Sequence, residues 1–314
     1  MYFPIFSLFL GLNMDKMLNN GRIKQLAKEV GFDLCGVARC RQMGPDGTFL
    51  RKWIKQGYAS SLDYMGRNIE KRTDAAKLME GAKSVIVCAL AYKNDISEGY
   101  PADCRTKIAS YATMRDYHLT IKQMLRTLAE RLKEEDPELS GRIFVDSAPL
   151  FEKRYAVEAG LGWIGRQSLL ITPQFGSFVL LGEILLCGEC DTYDAPYSGV
   201  GCGECRRCVE ACPNGAILDY HIDTRRCISR ATIEREFDLQ TECHGWIFGC
   251  DECQSICPYN LHAPKASNPH TTPLFDPRIL SVQKWKEMSD EEFAERFGDT
   301  PLSRTSLDRV KKML

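Results

Sequence analysis

The feature that most constrains how this chain folds is a pair of cysteine runs that each end in Cys-Pro. The runs are Cys202-x2-Cys205-x2-Cys208-x3-Cys212-Pro213 and Cys250-x2-Cys253-x3-Cys257-Pro258. The first spacing is that of bacterial ferredoxins, in which the fourth cysteine of a run binds the other cluster of a pair. The alternatives are a disulfide knot and a zinc ribbon, but a ribbon uses two C-x2-4-C pairs. The spacing therefore predicts two [4Fe-4S] clusters.

Crossing the ligands between the two runs gives one complete set of four cysteines and one set of three. The complete set is Cys202, Cys205, Cys208 and Cys257, and the other is Cys212, Cys250 and Cys253. Cys227 and Cys243 are the two candidates for the eighth ligand. We favour Cys227 because Arg225-Arg-Cys-Ile-Ser229 follows a turn, as a ligand loop should, and Cys243 is the alternative.

The composition is that of an ordinary globular protein, with 44% hydrophobic and 26% charged residues. A net charge of −1 argues against a basic coat that would bind nucleic acid everywhere, but it permits a local basic face. Cysteines in cluster spacing indicate a reducing compartment, so we expect a cytoplasmic protein. The apolar start, Met1–Leu12, is too short to span a bilayer and lacks the basic region of a secretory signal. We expect Met1–Asn13 to be a disordered or non-native extension without a twin-arginine signal.

Apolar patterning before the cysteine runs predicts a domain that mixes helices and strands. The continuous apolar run Ser84–Tyr92 predicts a central strand of a sheet. Arg142–Val145 predicts a strand that delivers Asp146 at its carboxyl end. Ser168–Thr172 and Ser177–Leu186 flank a short loop and predict an antiparallel hairpin.

The expected fold class is therefore α+β, or mixed α/β, with a bacterial-ferredoxin-like module for two [4Fe-4S] clusters and a C-terminal helical tail. The expected boundaries are 14–186 for the catalytic-sized domain, 187–262 for the cluster module and 263–314 for the tail, after the extension at 1–13.

Several motifs, taken together and in order from about Gly31 to Asn260, resemble epoxyqueuosine reductase. They are the first cysteine run, Val145-Asp-Ser-Ala-Pro149, Gly160-Leu-Gly-Trp-Ile-Gly165, Gly182-Glu-Ile184, Cys227-Ile-Ser229 and Gly249-Cys-Asp-Glu-Cys with Cys-Pro258. The resemblance implies a cobalamin-dependent oxidoreductase that reduces the epoxide of epoxyqueuosine, at the wobble position of tRNA, to queuosine. This is the last step of queuosine biosynthesis. It makes residues 14–186 the cobalamin-binding domain, with the two clusters recharging the corrin.

The resemblance also assigns roles to individual residues. Asp146 becomes the proton donor, with a pKa raised by the apolar corrin face, although an aspartate there would equally cap the helix that begins near Leu150. Asp116-Tyr-His118 begins like the D-x-H-x-x-G signature of a cobalt-binding histidine, but Ile121 replaces its glycine. We therefore expect no histidine on cobalt, and a structural or substrate-facing role for His118. The residues expected to hold the corrin are Ala148, Gln167, Ser168, Ser177 and Ser229.

The expected partners are tRNA carrying epoxyqueuosine and a reduced electron donor of the flavodoxin or ferredoxin type. Phosphate contacts dominate RNA affinity, and the arginines expected to provide them are Arg206, Arg207, Arg225, Arg226, Arg230 and Arg235. We expect a monomer that does not bind membranes. The competing functions are a corrinoid reductive dehalogenase, which would carry a twin-arginine leader, and a non-catalytic electron-transfer protein. An electron-transfer protein would not need Asp146 or the glycine-rich turn Gly160–Gly165.

Overall fold

The computed structural model of the protein describes residues 17–234 and 241–314. The strands within these ranges are β1 (Leu34–Arg39), β2 (Ser84–Ala91), β3 (Lys107–Ile108), β4 (Gly141–Phe144), β5 (Trp163–Ile164), β6 (Leu170–Ile171), β7 (Val179–Leu186) and β8 (Trp246–Phe248). The α-helices are α1 (Asn20–Val30), α2 (Gly44–Lys55), α3 (Ile69–Thr73), α4 (Tyr117–Glu135), α5 (Glu152–Glu158), α6 (Arg207–Ala211), α7 (Ile228–Ile233), α8 (Glu252–Ser255), α9 (Pro258–His262), α10 (Val282–Glu287), α11 (Asp290–Phe297) and α12 (Leu307–Lys312). The predicted extension Met1–Asn13 lies outside the described residues, as does Arg235.

A four-stranded antiparallel sheet in the order β1-β2-β7-β4 forms the centre of the fold. Every residue of β2 is buried, which explains its continuous apolar sequence and confirms the predicted central strand. Alternate β2 side chains point to opposite faces of the sheet. Ile86, Cys88 and Leu90 pack in the core that contains α1 and α4, whereas Val85, Val87 and Ala89 pack in the core that contains α5.

The predicted hairpin between Ser168–Thr172 and Ser177–Leu186 is wrong. β7 pairs with β2 on one side and β4 on the other, so neither of its edges is open to β6. β6 pairs instead with β5, and a single bridge between Thr172 and Gly176 closes the turn. The short loop is present, but β7 pairs with β2 and β4, so β6 pairs with β5.

A second core joins the cysteine-rich segment to the chain on both sides of it. β3 and β8 form a small parallel sheet, and Ile108 and Phe248 from these strands pack with Trp285, Phe297 and Leu302 of the C-terminal helices. The divisions at 186 and 262 remain predictions, since this core contains residues from all three segments. Among the described residues, none of the helices combines the length and apolar composition that a membrane span needs.

Candidate active site and iron–sulfur centre

A cavity of about 1410 Å³ opens at the end of the central sheet, where β4 leads into α5. Its walls come from the loop before α3, the first turn of α4, the loop between β4 and α5, the C-terminal end of α7 and the short helical turn Pro301–Arg304. Pockets for ordinary small molecules enclose about 300–1,000 Å³. The cavity is therefore large enough for a bulky cofactor.

Asp146 lies on this cavity, two residues beyond the end of β4. Its Oδ2 accepts a hydrogen bond from Tyr117 Oη at 2.6 Å and lies 3.5 Å from His118 Nε2. The alternative role as a helix cap is absent, because the N-cap position of α5 is Phe151 and no side chain caps that helix end. Asp146 is therefore held by α4 and faces the cavity, with 52% of its side chain exposed.

The pKa of Asp146 lies below its ordinary value, which is opposite to the direction predicted from the sequence. Burial raises this pKa, but the hydrogen bonds from His118 and Tyr117 and the positive charge of Arg304 lower it by more. The sequence prediction considered desolvation alone, and it was wrong because the donors come from distant segments. In this geometry Asp146 is ionised at neutral pH.

His118 carries the proton that Asp146 lacks. Its Nδ1 lies 2.7 Å from Asp116 Oδ1, while its Nε2 faces Asp146. Burial lowers the pKa of His118, but its bonds to these two carboxylates raise the pKa to about 9. Ile121 is fully buried and packs on β7, where a Cβ at Gly182 would lie 2.5 Å from its Cγ2. The residue that breaks the histidine signature thus serves the helix–sheet contact.

The cysteine thiols form two neighbouring groups, and the assignment of each ligand to a cluster stays a prediction. Burial raises the pKa of Cys208, and the neighbouring Cys202, Cys257 and Cys205 raise it further. In the second group, burial and then the neighbouring Cys250 and Cys227 raise the pKa of Cys253, and Cys212 acts in the same way on Cys227. Cys208 also raises the pKa of Cys253, so the two groups lie side by side.

Within the described ranges, no group of three or more His, Cys, Asp or Glu side chains is arranged to hold a single metal ion. In a [4Fe-4S] cluster, by comparison, each thiolate binds a different iron. Cys243 lies beside Arg309 and donates to the Thr241 carbonyl at 3.4 Å.

One short helix connects the second thiol group to the cavity. Cys227 is the N-cap residue of α7, and Ile233, the last residue of that helix, lines the cavity with Glu234. Six residues of helix span about 9 Å at 1.5 Å per residue. The second thiol group and the cavity are thus joined by one short helix.

The residues expected to hold the corrin differ in their position relative to the cavity and in their hydrogen bonding. Ala148 lines the cavity. Gln167 Nε2 and Ser168 Oγ are buried and find no hydrogen-bond partner among the described residues, and Lys153 of the cavity wall donates to the Ser168 carbonyl. Unpaired buried polar atoms are costly, and the amide side chains of cobalamin would satisfy both, but neither residue lies on the cavity wall. 

Ser177 and Ser229 are engaged elsewhere. Ser177 Oγ donates to Gln254 and accepts from Asn260, both within hydrogen-bond distance at 3.0 and 2.8 Å. The Ser229 backbone N–H bonds to Cys227, which lowers the pKa of that thiol. The corrin contacts of Ser177 and Ser229 stay predictions, because neither side chain has a buried polar atom that lacks a hydrogen-bond partner.

The site also contains residues that the sequence interpretation missed. Tyr117 stood inside the Asp116-Tyr-His118 motif, so its position was visible although its role was not. Arg304 comes from the C-terminal tail and lowers the pKa of Asp146 from across the cavity. Arg304 belongs to no recognisable sequence motif. Glu152 was overlooked because it reads as an ordinary first-turn residue of a helix.

The predicted basic residues divide into two kinds. Arg206, Arg207, Arg225 and Arg226 are exposed, although Arg206 and Arg225 also pair with Asp219 and Asp223. Arg230 is buried and donates to the carbonyls of Thr224 and Arg225, so it supports the loop before α7 and does not face solvent.

The choice of eighth ligand can be tested by substituting each candidate. A Cys227→Ser protein should lose about half of its iron and sulfide after anaerobic reconstitution, because one cluster lacks a thiolate. A Cys243→Ser protein is the matched control and should keep the iron content of the unsubstituted chain. Iron and sulfide analysis with low-temperature EPR of the reduced proteins measures both, and the opposite result would assign the ligand to Cys243.

Family models match two parts of the chain, and curated relatives match most of it. Residues 72–147 match the model described as "Epoxyqueuosine reductase QueG, DUF1730", and residues 201–260 match the 4Fe-4S double cluster binding domain. The epoxyqueuosine reductase of Leadbetterella byssophila is 39% identical over 92% of this chain and 95% of its own length. That of Cyclobacterium marinum is 40% identical over 92% of this chain and 94% of its own length.

Solved structures agree with the relatives. Epoxyqueuosine reductase from Streptococcus thermophilus superposes with a TM-score of 0.82 at 28% identity, over 93% of this chain and 78% of that one. An epoxyqueuosine reductase bound to an epoxyqueuosine-modified tRNA-Tyr stem loop gives a TM-score of 0.83 at 27% identity, over 93% and 79%. These matches agree with the enzyme predicted from the motifs and not with a bare electron-transfer module. The chain belongs to the epoxyqueuosine reductase family.

Proposed function

We propose that this enzyme reduces the epoxide of epoxyqueuosine in tRNA to queuosine, with Asp146 as the proton donor. The observation that carries the proposal is the position of Asp146, held by Tyr117 and His118 on a large cavity next to two groups of four thiols. The complex of a relative with a modified tRNA stem loop supports tRNA as the substrate.

The reaction sets what the site must supply. Converting an epoxide to an alkene takes two electrons and two protons, breaks both C–O bonds and releases the oxygen as water. Cobalamin bound in the cavity would supply the two electrons, and [4Fe-4S] clusters held by the two thiol groups would replenish them. Alkoxide is a poor leaving group, so the protein must place an acid at the departing oxygen.

The pair of Asp146 and His118 can meet this requirement although Asp146 is ionised at rest. His118 holds a proton at neutral pH, and its Nε2 lies 3.5 Å from Asp146 Oδ2. Asp146 relays this proton to the departing oxygen. His118, which is partly exposed, then takes up a second proton from solvent, and this proton follows the same route to complete the water. Tyr117 donates to the same Oδ2 and keeps the carboxylate oriented while its charge changes.

The partners and setting follow from the same residues. The exposed Arg206, Arg207, Arg225 and Arg226 provide contacts for the phosphates of tRNA. A flavodoxin- or ferredoxin-type protein supplies the electrons. Thiolate-bound clusters persist in a reducing compartment, which supports a cytoplasmic enzyme, and the monomer stays a prediction.

Removing the Asp146 carboxylate tests the proton donor. Asp146→Ala should lower the single-turnover rate by about 10²- to 10⁴-fold, the usual contribution of general acid catalysis. Binding of an epoxyqueuosine-modified stem loop should change little. Asp63→Asn, which alters another carboxylate of the same cavity wall, is the control and should keep most of the rate. A wild-type rate in Asp146→Ala would disprove the assignment.

The proton source predicts the pH dependence of the rate. The pKa of His118 is raised from 6.5 to about 9, so the imidazolium is present below that value and is lost as the pH rises through about 9. The rate should fall over the same interval. The folding stability that the contacts of His118 with Asp116 and Asp146 contribute should be complete below pH 6.5 and be lost as the pH rises from there through about 9.

Substituting His118 tests this source directly. His118→Gln should lower the rate by at least about tenfold and abolish the fall near pH 9, as measured by single-turnover kinetics between pH 6 and 10. If the alkaline limb of the profile stayed unchanged in this variant, another group would be the proton source.

A further inference from the structure

Two buried carboxyl groups stand behind Asp146, and the reaction described above does not use them. Glu183 is in β7 and fully buried, and it pairs across the sheet with Phe144, two residues before Asp146. Glu152 is the first residue of α5. No protein donor among the described residues reaches either oxygen of Glu183 if both glutamates are ionised. A bare charge in this position would be very costly.

One proton shared between Glu152 and Glu183 would remove the free-energy cost of this buried charge. Burial and the nearby charges of Glu152 and Asp146 raise the pKa of Glu183 well above its ordinary value, which favours its neutral form. A hydroxyl on Glu183 would be a donor for the Glu152 carboxylate, whose own pKa is raised to about 7 by burial and by the charge of Asp146. Two carboxyl groups that share a site hold one proton between them for the same reason.

Glu152 in turn holds the backbone of Asp146. The Asp146 N–H donates to Glu152 Oε1 at 2.7 Å. Asp146 has a φ of +49°, in the left-handed region that a residue other than glycine seldom adopts. Such a conformation persists only where the surroundings enforce it. The backbone bond to Glu152 is an interaction that does so.

Lys153 faces the pair, and Arg72 is a second cation that interacts with Glu152. The Lys153 Nζ donates to the Ser168 carbonyl at 2.5 Å, and burial lowers its pKa while Glu152 and Asp146 raise it. Lys153 therefore ties α5 to the segment that contains the unpaired Gln167 and Ser168. The Asp146 loop, the Glu152–Glu183 pair and this part of the proposed corrin contact form one connected unit.

We propose that Glu152, whose Oε1 accepts the Asp146 N–H, is the positioning residue that holds Asp146 in its left-handed conformation and aims its carboxylate into the cavity. The proposal rests on the proposed function in so far as Asp146 is the acid. The conformation itself can be measured without turnover.

Matched substitutions separate positioning from folding. Glu152→Ala removes the acceptor, whereas Glu152→Gln keeps an oxygen for the Asp146 N–H. Glu183→Gln keeps a donor for Glu152, because its amide replaces the carboxyl hydroxyl. We expect Glu152→Ala to lower kcat by about tenfold or more with KM for the modified stem loop nearly unchanged. Glu152→Gln and Glu183→Gln should stay within a few-fold of the wild-type kcat.

Hydrogen exchange measured by mass spectrometry gives a second readout that needs no reaction. Peptides that contain Asp146 should exchange at least about tenfold faster in Glu152→Ala than in the wild type, and Glu152→Gln should restore protection. Unchanged protection in Glu152→Ala would overturn the proposal. So would equal loss of kcat in Glu152→Ala and Glu152→Gln, or a change confined to KM.

The two readouts also separate this proposal from the proposed function. A wild-type enzyme that is loaded with its cofactors and does not convert the stem loop would refute the function. The exchange measurement would still decide whether Glu152 holds the Asp146 backbone.

Discussion

The carboxylate oxygen Asp146 Oδ2, with Tyr117 Oη at 2.6 Å and His118 Nε2 at 3.5 Å, is the point on which the site depends. Its donors come from the first turn of α4, while Asp146 follows β4 and its backbone is bound by α5. The antiparallel sheet brings these elements together, because β7 lies between α4 and α5 and beside β4. The packing of the sheet is therefore also what assembles the acid.

The charge distribution around this point fits proton delivery. A carboxylate flanked by an imidazolium is ionised at rest, yet a proton lies within one contact of it. Behind it, a neutral Glu183 keeps further negative charge away from the cavity, while Glu152 takes up the backbone N–H. The second thiol group is joined to the cavity by α7, an element that carries neither Asp146 nor His118.

The sequence was most informative where chemistry depends on residues that are close along the chain. The Cys-x2-Cys-x2-Cys spacing predicted the two thiol groups and favoured Cys227, and the apolar run of β2 predicted the central strand. Asp146 was found because its motif is local. What failed depends on contacts between distant segments. The pKa direction of Asp146 required Tyr117, 29 residues away, and Arg304 from the tail. The predicted hairpin was wrong because β7 pairs with β2 and β4 instead of β6. Arg230 was predicted to be a surface charge, but the structure buries it.

The most direct test of this account is the modified-nucleoside content of tRNA from a bacterial strain that lacks its own epoxyqueuosine reductase and expresses this chain. Liquid chromatography with mass spectrometry separates epoxyqueuosine from queuosine in digested tRNA. The account predicts that epoxyqueuosine, which accumulates without the enzyme, is replaced by queuosine when the chain is expressed with cobalamin supplied. Epoxyqueuosine that persists beside soluble protein loaded with cobalamin and iron would contradict it.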